Sequence, residues 1–169
     1  MREYHKIETL FKFDNATKKY TNTFYNQNVE LLKNHLWVFT EKIDGTNFRI
    51  CWDGHKLTYA GRTDNAMFTD EQIEFIENQL ITEEKEIMFE QAFQDKEVIV
   101  FGELYGNKIL NGGLYTDGKG LAFKVFDVLI NDIYLTYEGT KILCEQLNYD
   151  IVPIVLEGTI TDGINYVKN

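Results

Sequence analysis

The sequence is poor in residues that cross-link or interrupt a chain, with two cysteines and one proline among 169 residues. Cys51 and Cys144 lie far apart and belong to no Cys-x-x-Cys pair or histidine cluster, which indicates reduced thiols and argues against a zinc site. No apolar run approaches the roughly 20 residues that a membrane helix needs, and residues 1–6 do not lead into a signal-peptide core. We therefore expect a soluble, cytoplasmic protein.

Positive charge is also scarce, since 17 Lys and Arg stand against 27 Asp and Glu and the formal net charge is −10. The excess is uneven: residues 1–62 carry 10 basic and 7 acidic side chains, whereas residues 63–97 carry 2 basic and 11 acidic ones. Because affinity for a nucleic-acid backbone depends on clustered Lys and Arg, this composition argues against unaided nucleic-acid binding. We interpret the acidic run as a solvated helix face rather than as a surface that repels nucleic acid.

Length and residue patterning predict a single domain, residues 1–169, of the α+β class. Aromatic and β-branched runs predict strands at 37–40, 48–52, 57–60, 98–101, 121–130 and 151–155. The spacing of apolar residues predicts helices within 63–97, with a break near Thr82, and at 137–147 and 161–167. We expect a mainly antiparallel sheet with helices inserted between its strands.

Lys42 stands at the end of a predicted strand, directly before the turn sequence Ile43-Asp44-Gly45-Thr46-Asn47. A lysine held at a strand end can act as a nucleophile once its ammonium loses a proton, which requires burial or a nearby cation. The Lys-x-Asp-Gly pattern alone is weakly specific, and a surface lysine beside an ordinary turn is its simpler explanation.

Three later segments favour the nucleophile over the surface lysine. They are Gly61-Arg62-Thr63, then Phe101 to Gly106 around Glu103, then Phe123 to Val128. With residues 41–47 they resemble, in order, motifs I, Ia, III and IIIa of the ATP-dependent RNA ligases. These ligases are covalent nucleotidyltransferases, as are DNA ligases and mRNA capping enzymes. The resemblance covers nearly the whole chain, is closest to the double-strand-repairing phage type, and implies the adenylation-domain fold of ligases and capping enzymes.

The resemblance also implies a mechanism. Lys42 would attack the α-phosphorus of ATP, release pyrophosphate and carry AMP through a phosphoramide bond, which forms a lysyl-AMP intermediate. AMP would then pass to a nucleic-acid 5′-phosphate, and a 3′-hydroxyl would displace it to join the strands. The implied cofactors are ATP and Mg²⁺ or Mn²⁺, because each step moves a phosphoryl centre that carries negative charge. The implied substrate is RNA, including a nicked duplex.

Three residues take individual roles from the resemblance. Arg62 would contact phosphate through its planar set of donors, Glu103 would bind the ribose hydroxyls and hold metal-bound water, and Phe126 would stack on adenine. The alternatives are a surface arginine, a strand-end carboxylate in solvent and an aromatic ring in the core. Strand alternation places Phe126 on the face opposite Phe123, which leaves both interpretations of Phe126 open.

The remaining assignments are less specific. Asp44, Asp127 and Asn47 would contact phosphate or metal-bound water, with Asp44 joining Glu103 as a metal ligand. Glu41 and Ile43 would meet the base partly through backbone groups.

Two further motifs of the family, a Glu-Gly segment and a Lys-x-Lys segment, have no counterpart in the expected place. Leu156-Glu157-Gly158 imitates the first but directly follows Val152-Pro153-Ile154, so we interpret Glu157 as an ordinary loop carboxylate. We expect a domain that is incomplete at its C-terminus, with a sheet edge covered by a second polypeptide or a second copy of the chain. The alternatives are a non-catalytic descendant that binds a nucleotide or a partner, and a GTP-using capping-type guanylyltransferase.

Overall fold

The fold was analysed in a computed structural model, which describes residues 2–168 and divides into two compact units. The first unit contains the N-terminal residues up to Tyr4 together with Lys42–Val152, and the second contains His5–Glu41 together with the chain from Pro153 onward. The strands are β1 (Phe11–Asp14), β2 (Lys19–Phe24), β3 (Trp37–Thr40), β4 (Thr46–Trp52), β5 (Leu57–Gly61), β6 (Val98–Gly106), β7 (Leu121–Ile130), β8 (Ile133–Tyr134) and β9 (Ile154–Gly158). The helices are α1 (Gln27–Leu31), α2 (Asp70–Phe75), α3 (Glu83–Phe93), α4 (Tyr137–Leu147) and α5 (Ile160–Lys168), with a π-helical turn at Ile76–Leu80 and a 3₁₀ turn at Gly112–Tyr115.

The first unit is built on one antiparallel sheet with the strand order β5-β4-β6-β7-β8. Alternate residues of its central strands face a large apolar core, to which the helical segment 70–93 and α4 contribute the other side. Phe48, Val100 and Val125 are at most 1% exposed there. Each such side chain stabilises the fold by roughly 1.5–3 kcal/mol. The mixed, mainly antiparallel fold confirms the α+β class that the sequence predicts.

The break that the sequence predicts near Thr82 is confirmed, and capping explains it. The Thr82 hydroxyl accepts the backbone N–H of Lys85 and starts α3, while Thr69 and Gln72 form a reciprocal capping box at α2. Most acidic residues of this region are exposed, as expected of a solvated face. One basic residue of this segment, Lys85, is instead buried, and its ammonium donates to the carbonyls of Leu147 and, at 2.8 Å, Asn148 at the end of α4.

The second unit contains two separate two-stranded antiparallel sheets, β1-β2 and β3-β9. Helix α5 follows β9, and its Ile160 N–H donates to the carbonyl of Lys33 at 3.1 Å. None of the helices within residues 2–168 has the length and apolar character that crossing a membrane requires.

Three predictions about individual strands were wrong. β3 pairs with β9, and β4 already begins at Thr46, inside the segment 43–47 that the sequence predicts to be a turn. The strand predicted at 151–155 is split: Ile151 bridges Val125 in the first unit, and β9 starts only after Pro153, which lacks an N–H and so cannot continue a ladder. β6 continues to Gly106, so Glu103 lies within a central strand and not at a strand end.

Candidate active site

Lys42 is exposed, but the backbone around it is fixed by its neighbour. Ile43 is 4% exposed and packs with Tyr105 and Val152 in a small apolar cluster. The Lys42 side chain makes no hydrogen bond or ion pair with any residue from 2 to 168. The burial of Ile43 thus fixes the backbone next to Lys42, while the amine of Lys42 stays exposed.

The turn that follows Lys42 is fastened to β6. The Gly45 N–H donates to Oε1 of Glu103 at 3.2 Å. A Cβ atom at Gly45 would lie 2.4 Å from the carbonyl oxygen of Leu104, so only glycine allows the turn this close to the strand. Asp44 lies in the same turn, and its Oδ2 accepts a hydrogen bond from Asn111 at 2.7 Å.

Glu103 is half-buried, and its surroundings act on its pKa in opposite directions. Burial raises its pKa above the ordinary 4.5, and the negative charge of Asp44 acts in the same direction. The Gly45 N–H and the positive charge of Lys42 oppose that rise without cancelling it. Both charges act on Glu103, which shows that Lys42, Asp44 and Glu103 lie within electrostatic reach of one another.

A polar row crosses the sheet at the level of Glu103. Asn47 on β4 and Lys124 on β7 are its direct cross-strand partners, and such partners have Cβ atoms about 5 Å apart. The side-chain oxygen of Asn47 is buried and has no hydrogen-bond partner among the described residues, so an unused acceptor points into this region. Sequence reasoning missed Lys124; its position two residues before Phe126 in a strand is the signal that could have found it.

Phe126 and Asp127 reach the same side of the sheet through a β-bulge. Gly102 pairs with Val125 and Phe101 pairs with Asp127, so Phe126 is an extra residue in β7. Phe126 lies against Tyr4, with ring centroids 4.9 Å apart, and the Tyr4 hydroxyl donates to the Asp127 carboxylate. Phe126 therefore lies outside the large core that contains Phe123, and it also packs against the cluster of Ile43.

Arg62 is exposed and comes directly after β5, where Gly61 pairs with Phe48. The turn that carries it is held by Arg49, which is 0% exposed. Arg49 donates through Nε to the Gly61 carbonyl at 3.0 Å and through Nη2 to Asp64 at 2.5 Å, one contact on each side of Arg62. Sequence reasoning missed Arg49, a charged residue inside an otherwise apolar strand.

One predicted site residue, Glu41, belongs to the second unit, as does Glu157. Glu41 donates its backbone N–H to the Pro153 carbonyl at 3.0 Å. Glu157 is exposed on β9 opposite Val38, so it is a strand residue and not the loop residue that the sequence predicts.

A metal ion at this site would have few protein ligands. Within residues 2–168, no group of three or more His, Cys, Asp or Glu side chains is arranged to hold an ion. Mg²⁺ usually keeps several waters and binds one or two carboxylates together with substrate phosphates. Asp44 and Glu103, close together beside an exposed lysine, fit that shared arrangement.

Comparisons with known proteins identify the family and relatives of the fold. The family model for RNA ligase matches residues 35–167. The chain belongs to the RNA ligase family. Among curated proteins, none matches it.

Several solved structures share the fold. A Naegleria gruberi RNA ligase variant with ATP and Mn is 21% identical over 79% of this chain and 40% of its own, with a TM-score of 0.60. The same ligase with PPi is 23% identical over the same shares, also with a TM-score of 0.60. A variant with AMP and Mn is 21% identical, again with a TM-score of 0.60. The chain thus spans about 40% of the length of these structures.

Proposed function

We propose that Lys42 reacts with ATP to form lysyl-AMP and that AMP is then transferred to a nucleic-acid 5′-phosphate for strand joining. The observation that carries the proposal is the bond from Gly45 to Glu103, which fastens the Lys42 turn beside a half-buried carboxylate. Family membership supports it, and so do related ligases with ATP and Mn, AMP and Mn, or PPi. ATP, AMP and pyrophosphate are the reactant and products of adenylyl transfer.

In the proposed first step, the amine of Lys42 attacks the α-phosphorus after its ammonium has lost a proton to solvent. Lys42 is exposed, so burial does not favour that loss, and the metal ion that Asp44 and Glu103 would hold is the nearby cation in the proposal. An N–P bond forms while the P–O bond to the β-phosphate breaks, and pyrophosphate leaves with the electron pair of that bond. The amine's proton goes to solvent, to which Lys42 is open. Negative charge builds up on the phosphoryl oxygens as this happens, so nearby cationic side chains stabilise the transition state.

The remaining side chains take complementary roles in the proposal. Asp44 and Glu103 would hold Mg²⁺ or Mn²⁺ jointly with the nucleotide phosphates, and the ion would offset phosphate charge. Arg62 and the unpaired Asn47 would contact phosphate, and Glu103 would also contact the ribose. Phe126 would stack on adenine.

Three neighbours would support that binding. Tyr4 buttresses Phe126 and Asp127, while Ile43 and Glu41 would border the base through backbone groups. We further propose that residues 1–169 form part of a single adenylyltransferase domain, because the family match runs through segments of both units.

An intact-mass measurement at neutral pH tests the first step, since the lysyl phosphoramide is acid-labile. The chain is incubated with ATP and Mg²⁺ beside Lys42→Ala and Lys96→Ala, the latter removing an exposed lysine of the same unit. We expect the mass of one AMP to be added to the wild type and to Lys96→Ala but not to Lys42→Ala. A parallel incubation with GTP separates adenylyl from guanylyl transfer. An adduct that persists in Lys42→Ala, or no adduct on a folded wild-type chain, would contradict the proposal.

Association with a second polypeptide or a second copy is also proposed. The two-stranded β3-β9 sheet has one unpaired edge on each strand within the described residues, and such edges recruit further strands. Gel filtration across a range of concentrations checks this. A stable monomer in complex with no other chain would contradict it.

A further inference from the structure

We propose that the β1-β2 hairpin of the second unit binds single-stranded nucleic acid, with bases stacked on its aromatic face and phosphates held by its lysines. The inference deepens the proposed function, on which its role in ligation rests, because it gives the polynucleotide a contact of its own. Its experiment measures binding without ATP, so its outcome is independent of the chemistry at Lys42.

The aromatic face is formed by two cross-strand pairs. Phe11 lies opposite Phe24 and Phe13 opposite Tyr20, with ring centroids 5.1 and 5.2 Å apart. Phe11 and Phe13 are two positions apart in β1, whereas Phe24 and Tyr20 are four positions apart in β2, so the pairing register shifts between the two pairs. The outer pair stays in solvent, with Phe13 46% and Tyr20 60% exposed. Large aromatic rings exposed as a pair are typical of an interaction surface and not of a core.

The charge around this face has the sign that phosphates require. Residues 11–33 contain four lysines and two acidic residues. The net charge of −10 argues against nucleic-acid binding by the chain as a whole, but this segment carries a local positive charge. The Lys33 ammonium lies 5.9 Å from the centre of the Phe24 ring, and Lys18 is exposed in the turn between the strands. Lys12 and Lys19 are also exposed, but each is the chain neighbour of an exposed ring and so projects from the other side of the hairpin. Asp14 accepts hydrogen bonds from Ala16 and Thr17 at 2.8 and 2.7 Å, so its carboxylate is engaged in the turn.

This combination favours nucleic acid over a second copy of the chain. Exposed rings with interspersed lysines form the usual platform for single strands, because every base has a face that can stack. A protein interface of the same size is normally depleted of lysine at its centre.

Fluorescence anisotropy with a labelled single-stranded oligoadenylate of about 12 nucleotides tests the proposal. We expect Phe13→Ser and Tyr20→Ser each to weaken binding roughly tenfold, Tyr20→Leu to weaken it similarly, and Tyr20→Phe to leave it unchanged, since only an aromatic ring stacks on a base. Tyr166→Ser is the matched control, because Tyr166 is 53% exposed on α5. Circular dichroism checks that each variant is folded.

The lysines are tested through salt dependence. We expect the double variant Lys18→Glu and Lys19→Glu to reduce the slope of log K against log salt by about 1.4, the value for two phosphate contacts on a single strand. The double variant Lys96→Glu and Lys141→Glu makes the same charge change on exposed lysines of the first unit and should leave the slope unaltered.

Four results would overturn the inference. They are no binding by the wild type at tens of micromolar, full binding by Tyr20→Ser or by Tyr20→Leu, an equal loss of slope in the control double variant, and a change of oligomeric state in Tyr20→Ser without a change in binding. The last would assign the face to a second copy. Binding is measured without ATP, so a failed adenylylation at Lys42 would not affect this test.

Discussion

Arg49 has no exposed surface, yet it bonds to the carbonyl of Gly61, the residue directly before Arg62. A second bond to Asp64 closes a frame around the exposed Arg62. Burying an arginine costs free energy unless its donors are satisfied, so the turn and the buried charge stabilise each other.

We predict that Asp64→Ala lowers the free energy of unfolding by about 2 kcal/mol, because it removes a carboxylate from a buried guanidinium. Urea unfolding measures the change. Asp95→Ala is the control: its 3.9 Å pair with Lys96 is solvent-exposed, and such pairs contribute less than about 1 kcal/mol. Equal effects of the two substitutions would contradict the structural role of the Arg49 frame.

Gly45→Ala should destabilise the protein by about 2 kcal/mol or more and should abolish adenylylation at Lys42, because its Cβ would collide with the Leu104 carbonyl and displace the turn. Gly139→Ala in α4 is the matched control. Its Cβ would meet nothing closer than 3.4 Å, and alanine favours a helix over glycine by about 1 kcal/mol. Chemical unfolding and the mass assay together check the pair; a stable, active Gly45→Ala protein would overturn the assignment.

The acidity of Glu103 predicts a pH-dependent stability. Its pKa is raised in the folded state, chiefly by burial, so the folded protein binds this proton more tightly than the unfolded chain does. Stability from this group is therefore fully present below the ordinary value of 4.5 and is lost as pH rises through the raised pKa. Glu103→Gln cannot ionise, so we expect its stability relative to wild type to increase from pH 4.5 upward. If the free energies of unfolding of the wild type and of Glu103→Gln change equally with pH, the prediction is contradicted.

Tyr4 separates two contributions to the site. Tyr4→Phe keeps the ring against Phe126 but removes the hydroxyl that donates to Asp127, and should cost about 1 kcal/mol of stability. Tyr4→Ala also removes the ring packing, and we expect a loss of about 2–3 kcal/mol together with weaker ATP binding. Thermal unfolding and nucleotide titration measure these effects. If both variants bind ATP as the wild type does, Tyr4 does not position Phe126.

The sequence predicts well those features that depend on neighbouring residues. The limits of α4 and the break at Thr82 follow from apolar spacing and threonine caps, and most strands of the first unit follow from aromatic and β-branched runs. Order along the chain was also enough to propose Lys42, Asp44 and Glu103 as one site.

Features that depend on distant partners were missed. The pairing of β3 with β9 joins residues far apart in the chain, and no local pattern encodes that register. The burial of Arg49 depends on Gly61 and Asp64 across a hairpin, and the role of Lys124 depends on the strand beside it. The β1-β2 hairpin escaped prediction because β1 is only four residues long and β2 mixes polar and aromatic residues without strict alternation.

The bulge at Phe126 resets the alternation of β7. Phe123 and Val125 face the large core before it, and Val128 and Ile130 face the same core after it, although the two pairs are out of phase by one residue. A regular strand shows only one of two adjacent residues to a given side, whereas here an aromatic ring and the next carboxylate share one. Deleting a single residue at this point would restore regular pairing between β6 and β7. The strand could then keep its apolar residues in the core or keep Phe126 and Asp127 on the same side of the sheet, but not both.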